Sequence, residues 1–189
     1  IVDGGQDWLF SAEYPMIRFL EANGYVVSYF TGVDTDRYGD RLLNHKAFLS
    51  VGHDEYWSGD QRAKVEIARD SGVNLAFFSG NEVFWKTRWE PSIDGSNSPH
   101  RTLVSYKETH ANAKIDPSAE WTGTWRDPDG AGKGGDQPEN TLTGTIFVVN
   151  GPDLRALVVL PWCANDRGAR WGLLHAHGST CPPPAATTW

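Results

Sequence analysis

Between Ser50 and Asp60 the chain reads SVGHDEYWSGD, so that His53, Asp54, Glu55, Tyr56, Trp57, Ser58 and Asp60 stand almost side by side. Side chains of these types move protons, ligate metals or stack on flat ligands. The run before them, Ala47 to Val51, is largely apolar. A second stretch of the same kind, Ser79-Gly80-Asn81-Glu82-Val83-Phe84-Trp85, follows the largely apolar run Val73 to Phe78. Glu55 and Glu82 can serve as a paired acid and base, as glycoside hydrolysis requires. His53 and Asp54 can ligate a metal, although adjacent His and Asp on a loop are a weak signal. They also suit a turn, where they would satisfy backbone groups. Two neighbouring loops with the same polar and aromatic bias favour a site. There is no Gly-x-Ser-x-Gly elbow and no zinc-like cysteine pair. Gly4-Gly5 and the glycine-rich run 130–135 do not join a strand to a helix, so phosphate cradling is not indicated. Spacing alone leads to a hydrolase-like pocket of open chemistry.

The elements that must position these loops can be read from pattern. Ser11 caps a helix running to about Asn23, with Met16, Ile17 and Leu20 inward and Gly24 as the stop. Tyr25–Phe30, Ala47–Val51 and Val73–Phe78 read as strands. Ser58 starts another helix, in a capping box with Gln61, that carries Ala63, Ile67 and Ala68 and ends near Gly72. Apolar strands alternating with helices predict a parallel sheet covered on both faces, hence an α/β fold of doubly wound type. In such sheets ligands bind beyond the carboxyl ends of the strands, which is where both loops fall. The helix start after Trp57 adds partial positive charge there. Residues 91–140 are loop-rich, and Thr141–Asn150 with Leu154–Leu160 reads as a strand pair across Gly151-Pro152-Asp153.

The 189 residues suffice for one domain with a sizeable core. A net charge of −7 argues against a nucleic-acid partner. No apolar run approaches the roughly 20 residues that cross a bilayer, so no membrane partner is expected. Nine tryptophans serve packing or a stacking platform for sugars. Residues 1–153 form the expected α/β domain. Residues 154–189 hold no Glu or Lys, both cysteines and three consecutive prolines, and read as an atypical, non-native tail or a Pro-rich exit linker. Cys163 and Cys181 do not fix a compartment, extracellular or cytoplasmic.

The segments YPMIRFLEANGY, LLNHKAFLSVGHDEYWSGDQR, GVNLAFFSGNEVFWKTRWE and RTLVSYKETHANAKIDP resemble a group of bacterial proteins. Their domain is similar to the C-terminal domain of the N,N-dimethylformamidase large (beta) subunit. The resemblance implies a glutamine-amidotransferase-like, flavodoxin-like sheet, here lacking its first strand and belonging to a longer parent protein with further domains. It implies hydrolysis of amide or related carbon–nitrogen bonds, assisted by a mononuclear iron on two tyrosines and a glutamate. The positions that match are Tyr14, before an apolar helix; Tyr56, in Asp54-Glu55-Tyr56; and Glu120, in EWTGTWRD. Asn81 matches an asparagine that ends the following strand. Ser118 stands where the family has a histidine two residues before the glutamate. In the flavodoxin-like strand order, Tyr14 and Tyr56 would flank the crevice. Iron would polarise the amide carbonyl and lower the pKa of water. His53 or Glu55 would move protons, and Asn81 would help hold the oxyanion. The expectation is a metal-assisted amide hydrolase acting on a small molecule. A glycosidase using Glu55 and Glu82 on a carbohydrate, or a non-catalytic binding domain, are the alternatives.

Overall fold

The computed structural model describes residues 8–147, together with residues 162–163 and 170–171. A π-helical turn, Trp8–Glu13, leads into α1, Tyr14–Ala22. Pro15 lies in the first turn of α1, directly after the π-helical turn, and cannot donate a bond back into that turn. The helix ends as expected at Gly24, whose φ of 72° lets Gly24 N–H reach the Glu21 carbonyl and Tyr25 N–H the Leu20 carbonyl. Residues 25–30, expected as a strand, are not one. A strand exists by pairing, and among the described residues this segment makes only local bonds, such as Tyr29 Oη to Glu21 at 2.7 Å.

Next comes α2, Gly32–Tyr38, opened by a capping box between Thr31 and Asp34 that sequence reading overlooked. A 3₁₀ turn, Gly39–Asn44, then leads to β1, Ala47–His53. After β2, Tyr56–Ser58, the chain enters α3, Gly59–Asp70. Ser58 caps α3 by accepting from Gln61 N–H at 3.1 Å. The Ser58 hydroxyl is given to buried Asp36 of α2. Gly72, at φ 95°, turns the chain into β3, Asn74–Gly80. There follow β4, Trp85–Glu90, β5, Thr102–Val104, and two short helices, α4, Glu108–Ala111, and α5, Asn140–Thr143. The strand expected from Thr141 thus begins as helix, and its partner Leu154–Leu160 lies outside the described residues. Two short strands, β6, Trp162–Cys163, and β7, Arg170–Trp171, pair antiparallel. None of the described helices is long and apolar enough to cross a membrane.

β1 and β3 pair in parallel, from Ala47 opposite Asn74 to His53 opposite Gly80. β2 runs parallel to β4, and β4 antiparallel to β5. The fold is therefore mixed α/β, but the described strands make small sheets, not an open doubly wound one. Phe48, Leu75 and Phe77 put the inner face of β1–β3 onto a core of Trp57, Val65, Ala68, Val83 and Trp125. The outer face is not covered by the described residues: Leu49 is 37% and Phe78 56% exposed.

Trp57, Trp85, Trp121 and Trp125 are buried, so these four indoles serve packing. The glycine-rich run 130–135 belongs to the same packing. A Cβ on Gly130 would lie 2.9 Å from Trp121 Cδ1, and one on Gly135 2.8 Å from the same atom. The run makes room for an indole ring.

Candidate functional site

The register that ends β1 on His53 and β3 on Gly80 lays the two polar loops side by side at the carboxyl edge. The backbone stitches them together: Val83 N–H donates to the Asp54 carbonyl at 2.9 Å, and Phe84 and Trp85 both donate to that of Glu55 at 3.0 and 2.8 Å. The second loop is strained. Asn81 and Val83 hold φ of 56° and 53°, a region that a β-branched residue almost never occupies. Between them Glu82, 9% exposed, accepts from Thr145 Oγ1 at 2.6 Å. Strain of this kind, about 1–3 kcal/mol per residue, gathers at functional sites.

Asp54 is the centre of this edge. Ser50, four residues earlier on β1, donates its hydroxyl to Asp54 Oδ2 at 2.8 Å and lies 3.4 Å from Ser79 Oγ of β3. Burial raises the Asp54 carboxyl above its ordinary value, and the charges of Glu13 and Glu82 push it the same way. The Ser50 hydrogen bond lowers it, without cancelling the rise. Glu13 arrives from the turn before α1 because Gly52, at φ 92°, has no side chain; a Cβ there would sit 2.9 Å from Glu13 Cγ. A Cβ on Gly80 would make ordinary contact with His53 Nε2, at 3.6 Å. A desolvated carboxyl between like charges is a proton carrier poised nearer neutrality than a free aspartate. From sequence, Asp54 reads as a metal ligand or a turn residue. The signal for its buried setting is Ser50, a polar residue on the inner face of a largely apolar strand.

The residues named from sequence fall in separate places. His53, Asn81 and Glu82 lie at this edge, and Glu55 lends it a backbone carbonyl. The carboxylate coupled to Glu82 is Asp54. Tyr56 shares its side of the β2–β4 pair with Trp85, its register partner. The Lys107 ammonium lies 5.2 Å from the Tyr56 ring centre and 4.9 Å from that of Trp85. Residues opposite each other across a ladder point to one side, so Lys86, opposite Trp57, points to the other. There its ammonium pairs with Glu120. Tyr14 packs edge-on against Phe10, with ring centres 6.1 Å apart.

Two phenols and a carboxylate are hard donors suited to ferric iron. Here Tyr14 has Phe10 beside it, Tyr56 has Lys107 and Glu120 has Lys86. Among the described residues no group of three or more His, Cys, Asp or Glu is placed to hold a metal ion.

The family model described as N,N-dimethylformamidase beta subunit-like, C-terminal, matches residues 2–179. The chain belongs to that family, which is hydrolase-related. The match runs past Asp153, through much of the segment that composition sets apart. No curated protein matches the chain.

Proposed function

From that membership we propose that the chain hydrolyses amide or related carbon–nitrogen bonds of a small molecule at the carboxyl edge of β1 and β3. The observation that carries this reading is Asp54, desolvated, hydrogen-bonded by Ser50 and coupled to Glu13 and Glu82. As a carboxylate it takes a proton from water attacking the amide carbonyl. As the acid so formed it gives the proton to the departing amine nitrogen. A raised proton affinity serves both halves of that cycle. Glu82, fixed by Thr145, keeps the affinity high through its charge. Asn81 and His53, at the ends of the two strands, are assigned to the developing oxyanion. Iron on Tyr14, Tyr56 and Glu120, which the family resemblance implies, is left out of this reading. Glu120 is engaged by Lys86 on the side away from Tyr56. The same reading takes residues 1–153 as the α/β unit.

The test is hydrolysis of a panel of small N-alkyl amides, followed by amine release. Asp54→Asn should abolish it, while Tyr14→Phe and Tyr56→Phe keep it. Loss in the two phenylalanine variants, with Asp54→Asn still active, would overturn the reading in favour of the iron set.

A further inference from the structure

We infer that the cleft beside the amino end of α3 binds a small carboxylate anion on Lys86, in the place that Glu120 fills in this structure. The cleft measures about 270 Å³ and is lined by Gly59, Lys86, Glu120, Trp125 and Gly134, among others. Its cation and its anion are unequally buried. The Lys86 side chain is 2% exposed, with its ammonium 5.4 Å from the centre of the Trp125 ring; the Glu120 side chain is 37% exposed. A carboxylate on the solvent side can swing out, whereas the lysine cannot follow it. Lys86 would then be a buried cation facing a cavity whose remaining carboxylate, Glu66, is paired with Arg62, a state that favours capture of another anion. Neighbouring Arg62 is engaged by Glu66, Thr141 and the carbonyls of Gln137 and Pro138, which leaves Lys86 as the principal cation for an incoming anion.

A glycine gives the lysine its room: a Cβ on Gly134, where φ is 83°, would lie 3.1 Å from Lys86 Cε. The first turn of the twelve-residue helix α3 adds partial positive charge. The choice of a carboxylate follows the group already seated there. It also rests on the proposed function, because amide hydrolysis releases a carboxylate.

The experiment is titration of the full chain with ¹³C-acetate by NMR, with chloride at equal ionic strength as the control. Glu120→Ala removes a tethered competitor and should bind acetate about tenfold more tightly than the unaltered chain. Adding Lys86→Met to that variant should abolish binding. Equal acetate affinity in Glu120→Ala and the double variant, or no binding to Glu120→Ala, overturns the inference. If Lys86→Met does not fold, the Lys86 side-chain resonance of Glu120→Ala decides: movement with acetate supports the site, and none refutes it. Acetate binding without amide hydrolysis removes the proposed function and leaves this site standing. Hydrolysis without acetate binding does the reverse.

Discussion

The stretch from Phe84 to Phe147 and the elements α1, β1 and β3 treat their side chains in opposite ways. The first has little regular structure but is held by buried charge. Glu108, fully buried, accepts from the N–H groups of Ile115, Asp116 and Thr122 at 2.7–2.8 Å and from Lys114 at 3.0 Å. Asp116 takes two Arg88 nitrogens at 3.0 and 2.9 Å and the Thr122 hydroxyl. The second has regular helix and strands but leaves Phe19 and Phe78 exposed. Loops without ladders must find partners for their own N–H groups, and carboxylates supply them. Paired strands satisfy part of their backbone through the ladder and depend on a covering layer for their side chains.

The contrast extends to the carboxyls themselves. At Glu108 burial works against the charge, but the bonds from Thr122, Asp116, Lys114 and Ile115 win and hold it below its ordinary value. At Asp54 burial wins over the Ser50 bond and the carboxyl is raised.

The largest effect that would break this comparison is at Glu108. Glu108→Gln leaves Lys114 with a neutral partner and weakens three backbone bonds, at a cost of about 3 kcal/mol or more in urea unfolding. A cost under about 1 kcal/mol would mean that charge does not hold this half together. Gly130→Ala forces a methyl onto the Trp121 ring and the Gly135 Cα, 2.8 Å away, and should cost about 2 kcal/mol. Phe78→Ser, on the outer face of β3, should change stability by no more than about 0.5 kcal/mol. A loss above about 2 kcal/mol would show that this face is covered in the folded protein.

The subtlest difference is in the pH dependence of stability. Because the folded Glu108 value is lowered, its contribution is present above the unfolded carboxylate value and lost as pH falls through the folded one. Asp54 runs the other way. The folded state holds its proton longer, so stability falls as pH rises from the unfolded value through the raised one. Glu108→Gln should flatten the first slope and Asp54→Asn the second, as seen in unfolding midpoints across pH. The same slope in both variants would refute the opposed shifts.

What could be read from the sequence follows the same division. α3, β1 and β3, the glycine stops at Gly24 and Gly72, and the two loops at the strand ends were visible, because each rests on local pattern. The strand at residues 25–30 was misread, because an apolar run does not say whether a neighbour will pair with it. The 91–140 stretch read correctly as loop-rich, yet nothing local revealed that Glu108 and Asp116 would be buried. Their partners, Thr122 and Arg88, lie 14 and 28 residues away. Asp54 was hidden for a similar reason. Its shift depends on Glu13 and Glu82, which only the fold brings near.

The most direct measurement of the central claim is the pH profile of kcat/KM for amide hydrolysis in the unaltered chain and in Asp54→Asn. The unaltered chain should show a limb rising with pH through a value above that of an ordinary aspartate. Asp54→Asn should lower the rate by about 100-fold or more and remove the limb. An Asp54→Asn protein that keeps both the rate and the limb would contradict the central claim.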